Sequence, residues 1–321
     1  MFSVNHGPAH GPSSGLNTVE KSGAKTVAAI RRMTRADLDR VGDILFDAFN
    51  GGAARYGYPP RMHDRREGTS WAWSLLRHGP GDVLLAEVDG RAAGVCCLNP
   101  RGLHGGIGPV AVDPSFQGHG IGRLLLNAVL ERAAGLRSVR LFQETFNPAS
   151  LALYSSVGFA PVAELLDVTR APGARAAGPP SGDVSELAAD DLDAVQAYDT
   201  PRSRFDRRSD LALFRQWGRI FVTRDQSGIR GFLACLPAAQ SVQLGPLVAD
   251  GEEEATRLFQ RAAAVYGDRP CQTRVMARDT SLVTALEGMG FELYCRNNLM
   301  VRGDWRPSRS IEAFGRFPEG A

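Results

Sequence analysis

The sequence predicts an α/β chain, more strictly α+β, built as two tandem domains in which a mixed sheet is flanked by helices. Three observations carry that prediction. Apolar runs of period two alternate with runs of helical period through the first half. The same series of short motifs returns in the same order in the second half. A Pro/Gly/Ala-rich stretch at residues 171–182 reads as the linker between them. At 321 residues the chain is long for one domain and sufficient for two, each with its own core.

The elements follow from local pattern. Residues 1–26 are rich in Gly, Ser, Pro and His and read as a disordered tail before a domain at 27–170. A strand is expected at Ala28–Met33. Thr34 and Asp37 then form a capping-box pattern, and Leu38, Val41, Leu45 and Phe49 lay an apolar stripe behind it. A loop over Asn50–Arg61 and a second helical stretch lead to strands at Asp82–Val88 and Arg91–Leu98, joined by the turn Asp89-Gly90. A strand at Ile107–Val112 precedes a helix with Ile121, Leu124, Leu125, Ala128 and Val129 on one face. A strand at Val139–Thr145, a short helix at Ala149–Ser156 and a strand at Phe159–Val168 close the first half.

The second half, 183–303, repeats this plan. Asp37-Leu38-Asp39-Arg40-Val41 returns as Asp191-Leu192-Asp193-Ala194-Val195. Ile107-Gly108-Pro109-Val110 is matched by Leu244-Gly245-Pro246-Leu247, and Val157-Gly158-Phe159 by Met289-Gly290-Phe291. Residues 304–321 read as an irregular C-terminal tail.

Composition sets the class. A 43% hydrophobic and 22% charged chain with net charge +2 has no field suited to nucleic acid or an anionic membrane, and no apolar run spans a bilayer. The first residues lack a secretion signal, so the cytoplasm is expected. The five cysteines lack paired zinc or redox spacing, so no metal is expected; adjacent Cys96 and Cys97 read as strand residues facing opposite ways.

The chemistry sits in one loop. From the strand ending at Val112 the chain passes through Asp113-Pro114-Ser115-Phe116 into Gln117-Gly118-His119-Gly120-Ile121-Gly122 and then directly into a helix. Such a turn aims backbone N–H groups at one point beside the positive end of a helix dipole, a seat for a diphosphate. A P-loop would need Gly-Lys-Ser/Thr, but Arg123 and Leu124 follow Gly122. A dinucleotide fingerprint would need G-x-G-x-x-G directly after the strand. Gln117, Gly120 and Gly122 fit the third pattern, Q/R-x-x-G-x-G/A.

With Asn147-Pro148-Ala149-Ser150-Leu151-Ala152-Leu153-Tyr154 and Gly158-Phe159 downstream, the chain resembles the GCN5-related N-acetyltransferase (GNAT) family over residues 27–170 and, more weakly, 183–303. The resemblance implies two tandem GNAT-like domains, each with a mixed, mostly antiparallel central sheet. It implies acetyl-CoA as acyl donor and direct attack of a primary amine, taken here as that of a small molecule, on the thioester. It assigns Gln117 to Gly122 to the diphosphate, backbone groups of Val110, Ala111 and Val112 to the pantetheine, Asn147 to its neighbourhood, and Tyr154 to protonating the leaving thiolate. Asn147 also suits a helix cap.

Glu144, late in its strand, is the candidate base; His104, Asp113 or a water chain are alternatives. Arg55 and Arg61 are candidates for a substrate carboxylate or phosphate, and Trp71 and Trp73 for core or pocket. In the second half, alignment through Gly290-Phe291 places Leu286 opposite Tyr154 and Asp279 opposite Asn147, and Asp250-Gly251-Glu252-Glu253-Glu254-Ala255 replaces the loop. Three carboxylates there repel a diphosphate. The second half therefore resembles the degenerate C-terminal domains of tandem bacterial acetyltransferases, with Phe205-Asp206-Arg207 fitting their pattern. Its expected work is structural, or lending a wall to the acceptor pocket. A non-catalytic acyl-CoA sensor, another acyl donor, and a protein amine remain alternatives, and the chain is expected to be a monomer or homodimer.

Overall fold

The computed structural model describes residues 16–21, 24–77, 82–174, 184–188, 191–238 and 240–315. In the first half, β1 (Leu16–Lys21) and β2 (Ala24–Arg32) pair antiparallel, so strand structure begins at Leu16, within the expected tail and ahead of the strand expected from Ala28. Residues 1–15 lie outside the described residues, as does the linker from 175 to 182. Helix α1 (Leu38–Arg55) follows the Thr34/Asp37 capping box through one turn of 3-10 helix. It takes in Asn50 to Arg55, so half of the loop expected over Asn50–Arg61 is helix. The pattern there hid this, because Gly51-Gly52 reads as a break, yet a Cβ at either would meet nothing.

After α2 (Arg65–Arg77), strands β3 (Asp82–Val88) and β4 (Arg91–Arg101) are joined by Asp89 and Gly90 at φ 49° and 73°, the signature of a type I′ turn. Then come β5 (His104–Val112), α3 (Ile121–Arg132), β6 (Ser138–Glu144), α4 (Pro148–Ser156) and β7 (Ala160–Arg170). The second half runs β8 (Val184–Glu186), α5 (Leu192–Ser203), α6 (Arg208–Trp217), β9 (Arg219–Asp225), β10 (Gly228–Pro237) and β11 (Val242–Ala249). It ends with α7 (Glu252–Val265), β12 (Cys271–Met276), α8 (Thr280–Gly288), β13 (Phe291–Gly303) and β14 (Ile311–Phe314).

The fourteen strands of the described residues form one sheet, ordered β1-β2-β3-β4-β5-β6-β13-β7-β12-β14-β11-β10-β9-β8. Its pairings are antiparallel except β5–β6 and β11–β12. At the centre the halves exchange their closing strands: β13 pairs with β6 of the first half, and β7 pairs with β12 of the second. Each half has a core on each sheet face. Cys96 and Cys97 show the alternation directly, one packed with Leu125 and Tyr154, the other with Val41 and Leu45.

The C-terminal tail is corrected by the structure. Ile311 to Phe314 form a strand wedged between β11 and β12, with Ala313 and Phe314 buried. Four residues are too few to show a period in sequence.

Candidate active site

The two parallel pairings are short, and the site begins where the first one ends. β5 and β6 pair only through His104↔Ser138, Gly105↔Val139 and Gly106↔Arg140, after which they splay apart. Beyond Gly106, β5 keeps β4 on one side, with Val110 opposite Cys96 and Val112 opposite Gly94. Its other edge, Val110, Ala111 and Val112, lines a cavity of about 940 Å³.

The loop at the cavity mouth is held by its own residues. Asp113 caps the 3-10 turn by accepting from the Ser115 N–H at 2.7 Å, and the Gln117 amide folds back to donate to the Val112 carbonyl at 3.0 Å. Gly118 and Gly120 stand at φ 80° and 82°, where a side chain is strained, and the space above both is open. Gly120 is the N-cap of α3 and no side chain caps the helix, so its first N–H groups are offered outward. In shape and polarity such a helix start suits an anion. Gly122 has another duty: a Cβ there would lie 3.0 Å from Leu153, so it lets α3 and α4 pack closely.

Gln117, Gly118, Gly120, Ile121 and Gly122 line the cavity, as do Glu144, Asn147 and Tyr154. His119 does not; its Nδ1 is buried without a hydrogen-bond partner. Asn147 caps α4, accepting from the Ser150 N–H at 3.1 Å, so capping and cavity lining coexist. Tyr154 is 8% exposed and stands edge-on to Phe159. Burial pushes its phenol well above the ordinary tyrosine range, with Cys96 and Glu144 acting in the same direction.

Glu144 has a partner that the sequence did not reveal. Arg61 donates from Nε to Glu144 Oε1 at 2.6 Å and from Nη2 to the same oxygen. Arg61 also contacts Cys295 Sγ at 3.3 Å and lies 4.9 Å from the Tyr294 ring, both on β13. Burial opposes its charge, but Glu144, Cys295 and Asp167 together hold its pKa above the usual arginine range. Arg61 thus commits Nε and Nη2 to Glu144, while it too lines the cavity and its buried Nη1 has no hydrogen-bond partner; Arg55 is exposed and lines the cavity. His104 is bonded to Ser138 at 2.7 Å at the far end of β5, and Asp113 pairs with Arg40; neither lines the cavity. Trp71 does, its ring tilted against that of Phe49 at 4.9 Å, whereas Trp73 is exposed beneath Arg35.

The remaining wall comes from the second half: Gln240, Ser241, Gln243, Gln272, Arg274 and Asn297. Asn297 is there because β13 crosses over to pair with β6, opposite Glu144. Arg274 is held by Asp167 on β7. No sequence motif announces these residues, since the strand exchange brings them in.

A mixed sheet that splays beside an open glycine loop at a helix start defines the class. The chain belongs to the acetyltransferase (GNAT) family: residues 39–159 match its family model, and residues 196–315 match that of a second acetyltransferase (GNAT) domain. Two GNAT domains thus lie in tandem in this chain, which spans 59% and 66% of the length of two curated relatives it matches. It is 45% identical over 134 residues to the N-alpha-acetyltransferase RimI of Mycobacterium tuberculosis, covering 40% of this chain and 77% of that one. It is 34% identical over 129 residues to the L-2,4-diaminobutyric acid acetyltransferase of Nocardia farcinica, 37% of this chain, and spans 66% of that enzyme's length. A putative acetyltransferase from Pyrococcus horikoshii shares the fold at a TM-score of 0.72 and 19% identity, over 91% of this chain and 95% of that one. No helix of the described residues is long and apolar enough to cross a membrane, and among them no group of three or more His, Cys, Asp or Glu could hold a metal ion.

Proposed function

We propose that this protein transfers an acetyl group from acetyl-CoA to the primary amine of a small molecule, in the cytoplasm, through the single site of its first half. The observation that carries the reading is convergence. The free edge of β5, the open glycine loop, Glu144 and Tyr154 all face one cavity, which the second half walls on its other side.

The loop from Gln117 to Gly122, with the uncapped start of α3, takes the diphosphate; Val110 to Val112 offer backbone groups to the pantetheine amides. Bound there, acetyl-CoA supplies the activated acyl carbon. The chain's own task is proton management. An alkyl ammonium has a reference pKa near ~10.4, so at pH 7 roughly 4.6 kcal/mol oppose the free amine. The leaving thiolate, with a conjugate acid near ~8.5, departs with less help. Glu144 thus has the harder task. Arg61 occupies Oε1, and Oε2 is the oxygen left to receive the ammonium and take its proton. Tyr154, kept protonated by burial, gives its phenolic proton to the departing sulfur and contributes toward the low end of the ~10²–10⁴ range for general catalysis.

Similarity to RimI, named an N-alpha-acetyltransferase, supports a second reading in which the amine is a protein N-terminus. The cavity's wall of second-half residues favours the small molecule. Thiol release from acetyl-CoA with a panel of amino acids, diamines, amino sugars and short peptides decides. Turnover on small amines supports the proposal; turnover confined to peptides refutes it.

A further inference from the structure

The two splays of the sheet are built alike, and only one is open. In the first half, the last parallel pair before the splay is Gly106↔Arg140; in the second half it is Gln243↔Gln272. Matching Gly108-Pro109 to Gly245-Pro246 makes Gly106 and Gln243 equivalent, so the strands part at the same place. The same match sets Val110, Ala111 and Val112 against Leu247, Val248 and Ala249. These three are the residues that β14 pairs with: Leu247↔Ala313, Val248↔Glu312 and Ala249↔Ile311. On its other side β14 pairs with β12, through Arg274↔Phe314 and Val275↔Ala313.

We propose that the second half retains a latent pantetheine-binding edge at Leu247 to Ala249, and that the chain's own C-terminal strand occupies it in place of a ligand. This rests on the reading of the first splay as the acyl-CoA site. A pantetheine arm carries two amides in an extended chain, so it presents a strand edge with the same groups as a short peptide. The fit of the tail is close. A Cβ on Gly245 would lie 2.2 Å from the Gly315 nitrogen, so the tail needs that glycine to be seated. Phe314 is fully buried, 5.3 Å from Phe142 and 5.1 Å from the Arg140 guanidinium, both on β6 of the first half. The plug is thereby anchored across the domain boundary.

The ligand class is narrowed by the end of the cleft. Where the first half has its glycine loop, the second has Glu252, Glu253 and Glu254 in the first turn of α7. Their charges repel a diphosphate, so the latent edge suits the pantetheine arm without its nucleotide.

The test uses the chain and a variant ending at Ser308, with the first site saturated by CoA and acetyl-pantetheine as probe. The variant is expected to bind one equivalent and the full chain none. Binding by both, or by neither with the variant folded by circular dichroism, overturns the proposal. Should the variant not fold, hydrogen exchange on the full chain decides. Acetyl-CoA should slow exchange at 110–112 at least tenfold and leave 247–249, already protected, unchanged. Rapid exchange at 311–314, or a response at 247–249, overturns it. Failure of CoA to bind at all, or to protect 110–112, strikes the first-site reading instead.

Discussion

Tyr154 and Glu144 face the same cavity. Burial raises the Tyr154 pKa, so the phenol stays protonated beyond the ordinary tyrosine range near ~10 and its ionisation does not limit the rate at alkaline pH. Tyr154→Phe should lower kcat about 10²-fold at every pH from 6 to 10, with acetyl-CoA affinity unchanged in calorimetry. A loss that vanishes at pH 9 contradicts the acid role. Glu144→Gln should depress kcat/KM most at low pH, where the amine is most fully protonated. The same change takes from Arg61, whose side chain is 3% exposed, its direct ion-pair partner. A stability loss of about 3–5 kcal/mol should therefore accompany it in denaturant melts. An unchanged pH–rate profile removes Glu144 as the base. Tyr154, Asn147 and the glycines were legible because each belongs to a local motif. The Arg61–Glu144 pair was not, because its partners are 83 residues apart and no spacing rule links them.

The loop and the C-terminal strand carry the argument at the scale of elements. Gly120 stands at φ 82° in open space, so Gly120→Ala costs about 1–2 kcal/mol of backbone strain and crowds the diphosphate seat. Acetyl-CoA affinity should fall at least tenfold by calorimetry, with the melting temperature lowered only slightly; unaltered affinity contradicts the seat. On β14, Glu312 is 4% exposed; burial pushes it up to about 7 against the pull of Arg207 and Arg140, with Asp199 also raising it and Arg278 lowering it. Its folded pKa lies above the unfolded value, so the fold binds this proton more tightly. Stability is full below the unfolded pKa near ~4.3 and is lost as pH rises through about 7, by roughly 3 kcal/mol. Glu312→Gln should flatten that slope and be more stable than the parent chain at pH 8, read from urea midpoints. Helices and hairpins such as Asp89-Gly90 were readable from period and turn chemistry. β14 was not, since its burial comes from the cleft it enters.

Across the whole molecule, the repeat predicted two like halves but not their exchange of closing strands, which is long-range pairing that sequence period does not encode. That exchange changes what the second half does. Deleting residues from Asp183 onward removes β13, which bares the edge of β6 and strips Asn297 and Tyr294 from the cavity and from Arg61. The truncated chain should be insoluble or aggregate in size-exclusion chromatography, and a soluble, fully active fragment refutes the shared-wall account. Buried pairs across the boundary, such as Arg101 with Asp210 at 2.5 and 2.7 Å, add to the same dependence. The duplicated register leaves one splay open and one filled, which makes the number of acyl-CoA sites the central quantity. Calorimetric titration of the full chain with acetyl-CoA measures it directly. One site per chain, weakened by Gly120→Ala, is the result the structure predicts; two sites, or one that ignores that substitution, contradict it.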